Sequence, residues 1–158
     1  MNVQVVNQFL VAAKTVLNDY FSLPVSPAGK PSAIPVSTPM EAVTVVLELT
    51  GDLEGQFIVS YSHQVALNIA RKMIGNPDYP QFDDMCRSAL AELTNMIAGT
   101  TSTGLADLGY ACSLAPPMVY TNTAHPLEFT VDKLLSVPLV SEVGNFKVLV
   151  GLKPSEGE

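Results

Sequence analysis

The sequence predicts an α+β fold, a largely antiparallel sheet packed by helices. Three observations carry this expectation. The chain opens with helical periodicity, two β-rich hairpin patterns lie far apart in it, and two more helical stretches separate them. At 158 residues the chain suits one domain, expected over residues 1–153, with 154–158 as a loose tail. A domain of this size buries roughly 70% of the surface its unfolded chain exposes.

The elements follow in order. Over residues 3–20, Val3, Val6, Phe9, Leu10, Ala13, Val16 and Leu17 recur at steps of three and four, which predicts a first helix. Between Leu23 and Met40 stand five prolines (Pro24, Pro27, Pro31, Pro35, Pro39) and Gly29. Such a stretch can be neither helix nor central strand, so an extended connector packed over the surface is expected. Glu41–Thr50 is rich in β-branched residues, Gly51-Asp52 marks a turn, and Leu53–Tyr61 resumes a strand, giving a hairpin. Ser62 then caps a helix running to about Ile74, which Gly75 and Asn76-Pro77 end.

Asp83-Asp84 starts a second long helix, since acidic groups favour a helix N-terminus. It is expected to run to about Ala106 or Leu108, with Gly99 and Gly104 as points of fraying. Short strands at Tyr110–Leu114 and Met118–Thr121 follow, then strands at Leu127–Leu139 and Asn145–Leu152 joined around Gly144. Each half reads as a helix followed by a hairpin, a hint of internal duplication. A hydrophobic strand such as 145–152 would invite pairing if it lay at a sheet edge.

Composition excludes several function classes. The chain is 47% hydrophobic and 15% charged, with a mean hydropathy of +0.29. The low charge excludes an intrinsically disordered body, and the apolar share demands a core or an interface. Fifteen acidic against eight basic residues give a net charge of −7, so no nucleic-acid partner is expected. No apolar run approaches the ~20 residues that span a bilayer. The opening MNVQVVNQFLVAAKTVL lacks a basic n-region and a cleavage site, so a cytoplasmic protein with no membrane association is expected. Cys86 and Cys112 are too few and too far apart for a disulfide framework or a Cys-x-x-Cys metal site, and are read as buried free thiols.

The informative segment is SALAELTNMIAG, residues 88–99. On a 3.6-residue wheel Cys86, Leu90, Leu93 and Ile97 face the core, while Ser88, Glu92, Asn95 and Gly99 fall on the opposite arc. Glu92 and Asn95 are i, i+3 neighbours with Cβ atoms about 5–6 Å apart. A carboxylate and a neutral amide thus project side by side. Gly99 and the alanines leave low relief around them, and Met85 and Met96 flank the stripe as apolar contacts. A Glu and an Asn on the polar side of a helix are ordinarily just solvated, so spacing alone does not assign a function.

This segment resembles the CheC/CheX/FliY family of chemotaxis phosphatases. Their signature is an Asp or Ser, three residues, Glu, two residues, Asn, and a proline a little over twenty residues later. Ser88, Glu92 and Asn95 occupy those places, and Pro116-Pro117 begins twenty-one residues after Asn95. NVQVVNQFLVAAKTVL resembles the family's first helix, and LTGDLEGQFIVSYSHQVALNIARKMIG its hairpin-then-helix segment. In the first helix the matching spacing reads Gln4-x-x-Asn7, without a carboxylate. A single Glu-x-x-Asn site makes the chain CheX-like more than CheC-like.

The resemblance implies a pseudo-duplicated architecture and an aspartyl-phosphate phosphatase acting on a CheY-like response-regulator receiver. Asn95 would orient the attacking water and Glu92 would pair with the receiver lysine, with Ser88, Met96 and Gly99 as docking residues. It implies that no metal or cofactor is held by this chain, the Mg²⁺ coming from the receiver, and that the chain is a homodimer. The rival reading is a non-catalytic interaction module of the same fold, like the middle domain of the flagellar switch protein FliM. A regulatory role outside chemotaxis is a third.

Other residues favour structural readings. His63 and His125 have no partner at a metal-binding spacing. Asp83-Asp84 are explained by the helix dipole, and Gly51–Gly55 by hairpin geometry. Ser60, Ser62 and Ser88 lack a basic partner in sequence, so a hydrolase nucleophile is not supported. Arg71-Lys72 reads as a solvated helix face.

Overall fold

Residues 3–121 and 127–153 are described by a computed structural model. The first helix, α1 (Val3–Phe21), buries Val5, Val6, Phe9, Ala12, Ala13, Val16 and Leu17. This arc is rotated slightly from the expected one. Its apolar residues offer two overlapping arcs, and burial selects the one through Val5 and Ala12, leaving Val3 75% exposed.

The proline-rich segment contributes two short strands, β1 (Val25–Pro27) and β2 (Ser32–Pro35). Both pair with one edge of the sheet, where a residue without an N–H is tolerated. The connector is therefore extended, as expected, but it is also part of the sheet. The hairpin of β3 (Val43–Gly51) and β4 (Gly55–Tyr61) follows, with Gly51 at a φ of 109°. Next comes α2 (His63–Ile74): the Ser62 hydroxyl accepts from the Val65 amide at 3.2 Å, and Gly75 closes the helix at a φ of 80°. The helix α3 (Asp84–Asp107) runs unbroken through Gly99 and Gly104. The last strands are β5 (Cys112–Leu114), β6 (Met118–Tyr120), β7 (Lys133–Ser141) and β8 (Phe146–Leu152).

The strands form one antiparallel sheet in the order β1-β7-β8-β4-β3-β5, with β2 also on β7 and β6 also on β3. One expectation is corrected. The strand expected from Leu127 begins only at Lys133. Residues 127–131 alternate like a strand, yet they fold over the sheet face, where Leu127, Phe129 and Val131 pack on Val46, Ile58 and Leu149. The 145–152 segment is not an edge: β8 lies between β7 and β4, and its backbone groups are paired on both sides. His125 and the tail 154–158 lie outside the described residues.

The two faces of the sheet differ. One carries the helices over a core that includes Val45, Phe57, Val59, Val137 and Val148, with the Phe9 ring stacked on Phe57 at 4.9 Å. Burying each such aromatic or branched side chain contributes about 1.5–3 kcal/mol. The other face is covered by Ile34, Val36 and Met40 from the connector and by residues 127–131.

Internal duplication is visible in the pairing. Each half supplies a long helix, two short strands and a hairpin, and the short strands of each half pair with a hairpin strand of the other. At a shift of 88 residues (93 − 5 = 88) Val5, Val6, Phe9, Ala13 and Leu17 of α1 coincide with Leu93, Thr94, Ile97, Thr101 and Leu105 of α3, all buried. Among the described residues, the element that breaks the symmetry is α2, which follows the first hairpin.

Candidate functional site: the outer face of α3

The inner arc of α3 is fixed by burial. Cys86, Leu90, Leu93, Ile97 and Leu105 are all buried. Thr94 and Thr101 share this arc, and their hydroxyls donate back to Leu90 O at 2.9 Å and Ile97 O at 2.8 Å, so neither polar group is stranded. One flank packs on α1, where Gly104 admits close approach: a Cβ there would overlap Oε1 of Gln8.

The start of α3 is tied down by several side chains. Asp83 Oδ1 accepts from the Cys86 amide at 3.2 Å, and Oδ2 accepts from the Tyr79 hydroxyl at 2.6 Å. The Tyr79 hydrogen bond is the main reason the Asp83 carboxyl is held below its ordinary value. The same bond pushes the Tyr79 phenol up to about 12. Arg71 Nε donates to the Tyr79 carbonyl at 2.9 Å, and Lys72 pairs with Glu142 at 3.2 Å. Arg71-Lys72 is thus not the merely solvated face expected from sequence. These partners are remote in sequence pattern, and only the turn after Gly75 brings Tyr79 back beneath α2. Arg87 Nη1 donates to Thr121 Oγ1 at 2.9 Å and so holds α3 to the segment after β6.

With the inner arc fixed, the outer arc is determined. Ser88, Glu92, Asn95 and Gly99 are all exposed, in one line along α3. Met85 extends that line at the N-terminal end and is 55% exposed. Met96 differs from its companions: it is half-buried and packs against the main core, so only part of it borders the face. Among the described residues neither Glu92 nor Asn95 makes a side-chain hydrogen bond or ion pair within the chain. An acceptor-only carboxylate and an amide that both donates and accepts are therefore free for a partner. Pro117 is half-buried between β5 and β6, the strands that pack on α3.

At the same 88-residue shift, Glu92 and Asn95 coincide with Gln4 and Asn7 (92 − 88 = 4; 95 − 88 = 7), also exposed. The fold carries two equivalent helix faces, and only the one on α3 has a carboxylate. Among the described residues no group of three or more His, Cys, Asp or Glu side chains is placed to hold a metal. No described helix is long and apolar enough to cross a membrane.

A single antiparallel sheet, duplicated about its centre, with paired long helices on one face, defines a CheC-like fold. A solved CheC-like superfamily protein from Shewanella sp. PV-4 superimposes with a TM-score of 0.84 over 98% of this chain and 100% of that one, at 25% identity. The CheX-CheY-BeF3-Mg complex structure from Borrelia burgdorferi has the same fold, with a TM-score of 0.76 at 24% identity over 97% of this chain and all of that one. Residues 43–139 match the family described as Chemotaxis phosphatase CheX. The CheY-P phosphatase CheX of Thermotoga maritima is 33% identical over 120 residues, which are 75% of this chain and 76% of that protein. The chain belongs to the CheX family of chemotaxis phosphatases.

Proposed function

We propose that this protein hydrolyses the aspartyl phosphate of a CheY-like receiver domain, using Asn95 and Glu92. The observation that carries the reading is the free, exposed Glu92–Asn95 pair on a helix whose other side is wholly committed to the core. The T. maritima relative is named as a phosphatase of CheY-P, which supports the substrate class.

The reaction transfers a phosphoryl group from an aspartate carboxylate to water. The water oxygen attacks phosphorus, the bond from phosphorus to the carboxylate oxygen breaks, and inorganic phosphate and a free aspartate result. Little covalent work falls to the protein, so catalysis rests on positioning the water in line and on stabilising the equatorial oxygens. The receiver's own site, with its Mg²⁺, would supply the second. Asn95 would supply the first: its carbonyl oxygen accepts a hydrogen bond from the water, and its NH₂ can donate to a phosphoryl oxygen. Glu92, about one turn away on the same face, would pair with a receiver cation and fix the register of docking. Ser88 and Gly99 would border the docked partner, with the exposed edge of Met96.

The test is phosphate release. Receiver domains from the source genome are purified singly, charged with acetyl phosphate and Mg²⁺, and followed with and without the protein. Asn95→Ala is expected to remove at least about 100-fold of the acceleration while melting as the parent does, because its side chain is exposed. An Asn95→Ala protein that works as fast as the parent sinks the reading. Tight receiver binding by the parent without acceleration would instead support the non-catalytic module.

A further inference from the structure

Among the described residues, nothing requires a glycine at position 99. It sits within the 24-residue α3 in ordinary helical conformation and is exposed. Among the described residues, a Cβ built there would meet no atom within 4 Å beyond the helix's own backbone. Gly104, one turn on, shows the contrast, since Gln8 occupies the space its Cβ would need. Inside a helix, glycine is the least favourable residue after proline, and alanine would hold the helix better. The close approach of a partner surface would account for the missing side chain.

The position of Gly99 supplies that account. It is four residues beyond Asn95, hence next to it on the same face. Its other neighbours on the helix surface are Met96, Ser102 and Thr103, so the glycine forms a notch one side chain wide. The Thr103 hydroxyl donates to the Gly99 carbonyl at 3.3 Å, which keeps that side chain folded against the helix. Asparagine is short. For its amide to reach a recessed phosphate, the helix backbone must come close to the partner surface. A larger residue at position 99 would hold the partner off.

We propose that Gly99 is the point of closest approach to the phospho-receiver, a steric gate whose width decides how deeply Asn95 can enter. The proposal rests on the receiver reading above. It assigns Gly99 a positioning role, with Asn95 left as the residue that touches the reacting atoms.

The test compares Gly99→Ala and Gly99→Leu with the parent. The probe is the receiver that the parent dephosphorylates, charged with beryllofluoride and Mg²⁺ as a stable stand-in for the phosphorylated form. Gly99→Ala is expected to melt about 2–4 °C higher, as an open helical position gains a better helix former. Its Kd is expected to weaken about 5-fold, and that of Gly99→Leu about 100-fold or more. Stability and binding moving in opposite directions is the signature, because a merely structural glycine would lose both. An unchanged Kd in both variants overturns the proposal. So does a lower melting temperature in Gly99→Ala, which would give the glycine an internal cause. A fully active Asn95→Ala protein overturns the catalytic reading alone, since the Kd of Gly99→Leu is measured independently of turnover.

Discussion

The Tyr79 hydroxyl donates at 2.6 Å to Oδ2 of Asp83, whose other oxygen caps α3 through the Cys86 amide. One carboxylate therefore serves both the turn after α2 and the first turn of the helix that presents Glu92 and Asn95. Arg87, which donates to Thr121, ties the same helix to the segment after β6.

Asp83 gives a pH-dependent stability with a definite sign. Its carboxyl is held below the ordinary value of 3.8, chiefly by the Tyr79 hydrogen bond. A lowered folded-state value means that the ionised form favours the fold. The contribution is fully present above about pH 3.8 and is lost as pH falls through the lowered folded value. Asp83→Asn keeps a good capping oxygen but removes the titration. It is expected to melt within a few degrees of the parent at pH 7 and to show a flatter loss of stability in acid. Urea melts from pH 7 down to pH 2 measure this. Equal acid slopes in the two proteins would refute it.

A second prediction concerns the sheet face away from the helices. Gln56 is 1% exposed, and its amide donates to Glu48 Oε1 at 2.8 Å and to the Glu128 carbonyl at 3.1 Å. Its Oε1 accepts from the Thr130 amide at 3.1 Å. This side chain clamps residues 127–131 across the sheet. Gln56→Leu strands three polar partners at once, and the expected loss is about 1–3 kcal/mol in a denaturant melt. Cleavage by protease within residues 127–132 should rise, whereas receiver dephosphorylation should be unaffected, because α3 lies on the other side. Unaltered protease resistance would count against the clamp.

The same clamp explains where the sequence misleads. Leu127–Val131 alternates as a strand does, and nothing local reveals that a buried glutamine some 70 residues earlier holds it over the sheet face rather than in the sheet (Thr130 and Gln56 lie 74 residues apart). The proline-rich connector misleads in the opposite direction. Its prolines forbid a central strand but permit an edge one, and the choice depends on β7 being there to pair with. That β8 is central and not an edge is likewise a long-range fact. The face of α3 was legible because a single period of 3.6 decides it: burial of Leu90, Leu93 and Ile97 forces Glu92 and Asn95 outward. Met96 shows the limit of the wheel, since it lies at the border and the core claims most of it.

Glu92 allows a test of the direction of docking. If its carboxylate meets a receiver cation, the pair is a charge-assisted contact at an interface, and removing one partner should cost about 10- to 100-fold in KM. Glu92→Gln keeps the size and polarity of the side chain and removes only the charge, so the loss should appear chiefly in KM, with kcat reduced less. Raised salt should weaken the parent more than this variant, because the variant has one fewer charge pair to screen. Charge reversal makes the test specific. Glu92→Lys should be nearly inactive on the natural receiver. Its binding, read as a Kd and not as turnover, should recover in part on a receiver whose lysine is replaced by glutamate. The double-mutant cycle isolates the pairwise coupling from the separate damage of each change. Additive losses with no coupling would show that Glu92 meets something other than that lysine, and would leave Asn95 and Gly99 to define the docked geometry without it.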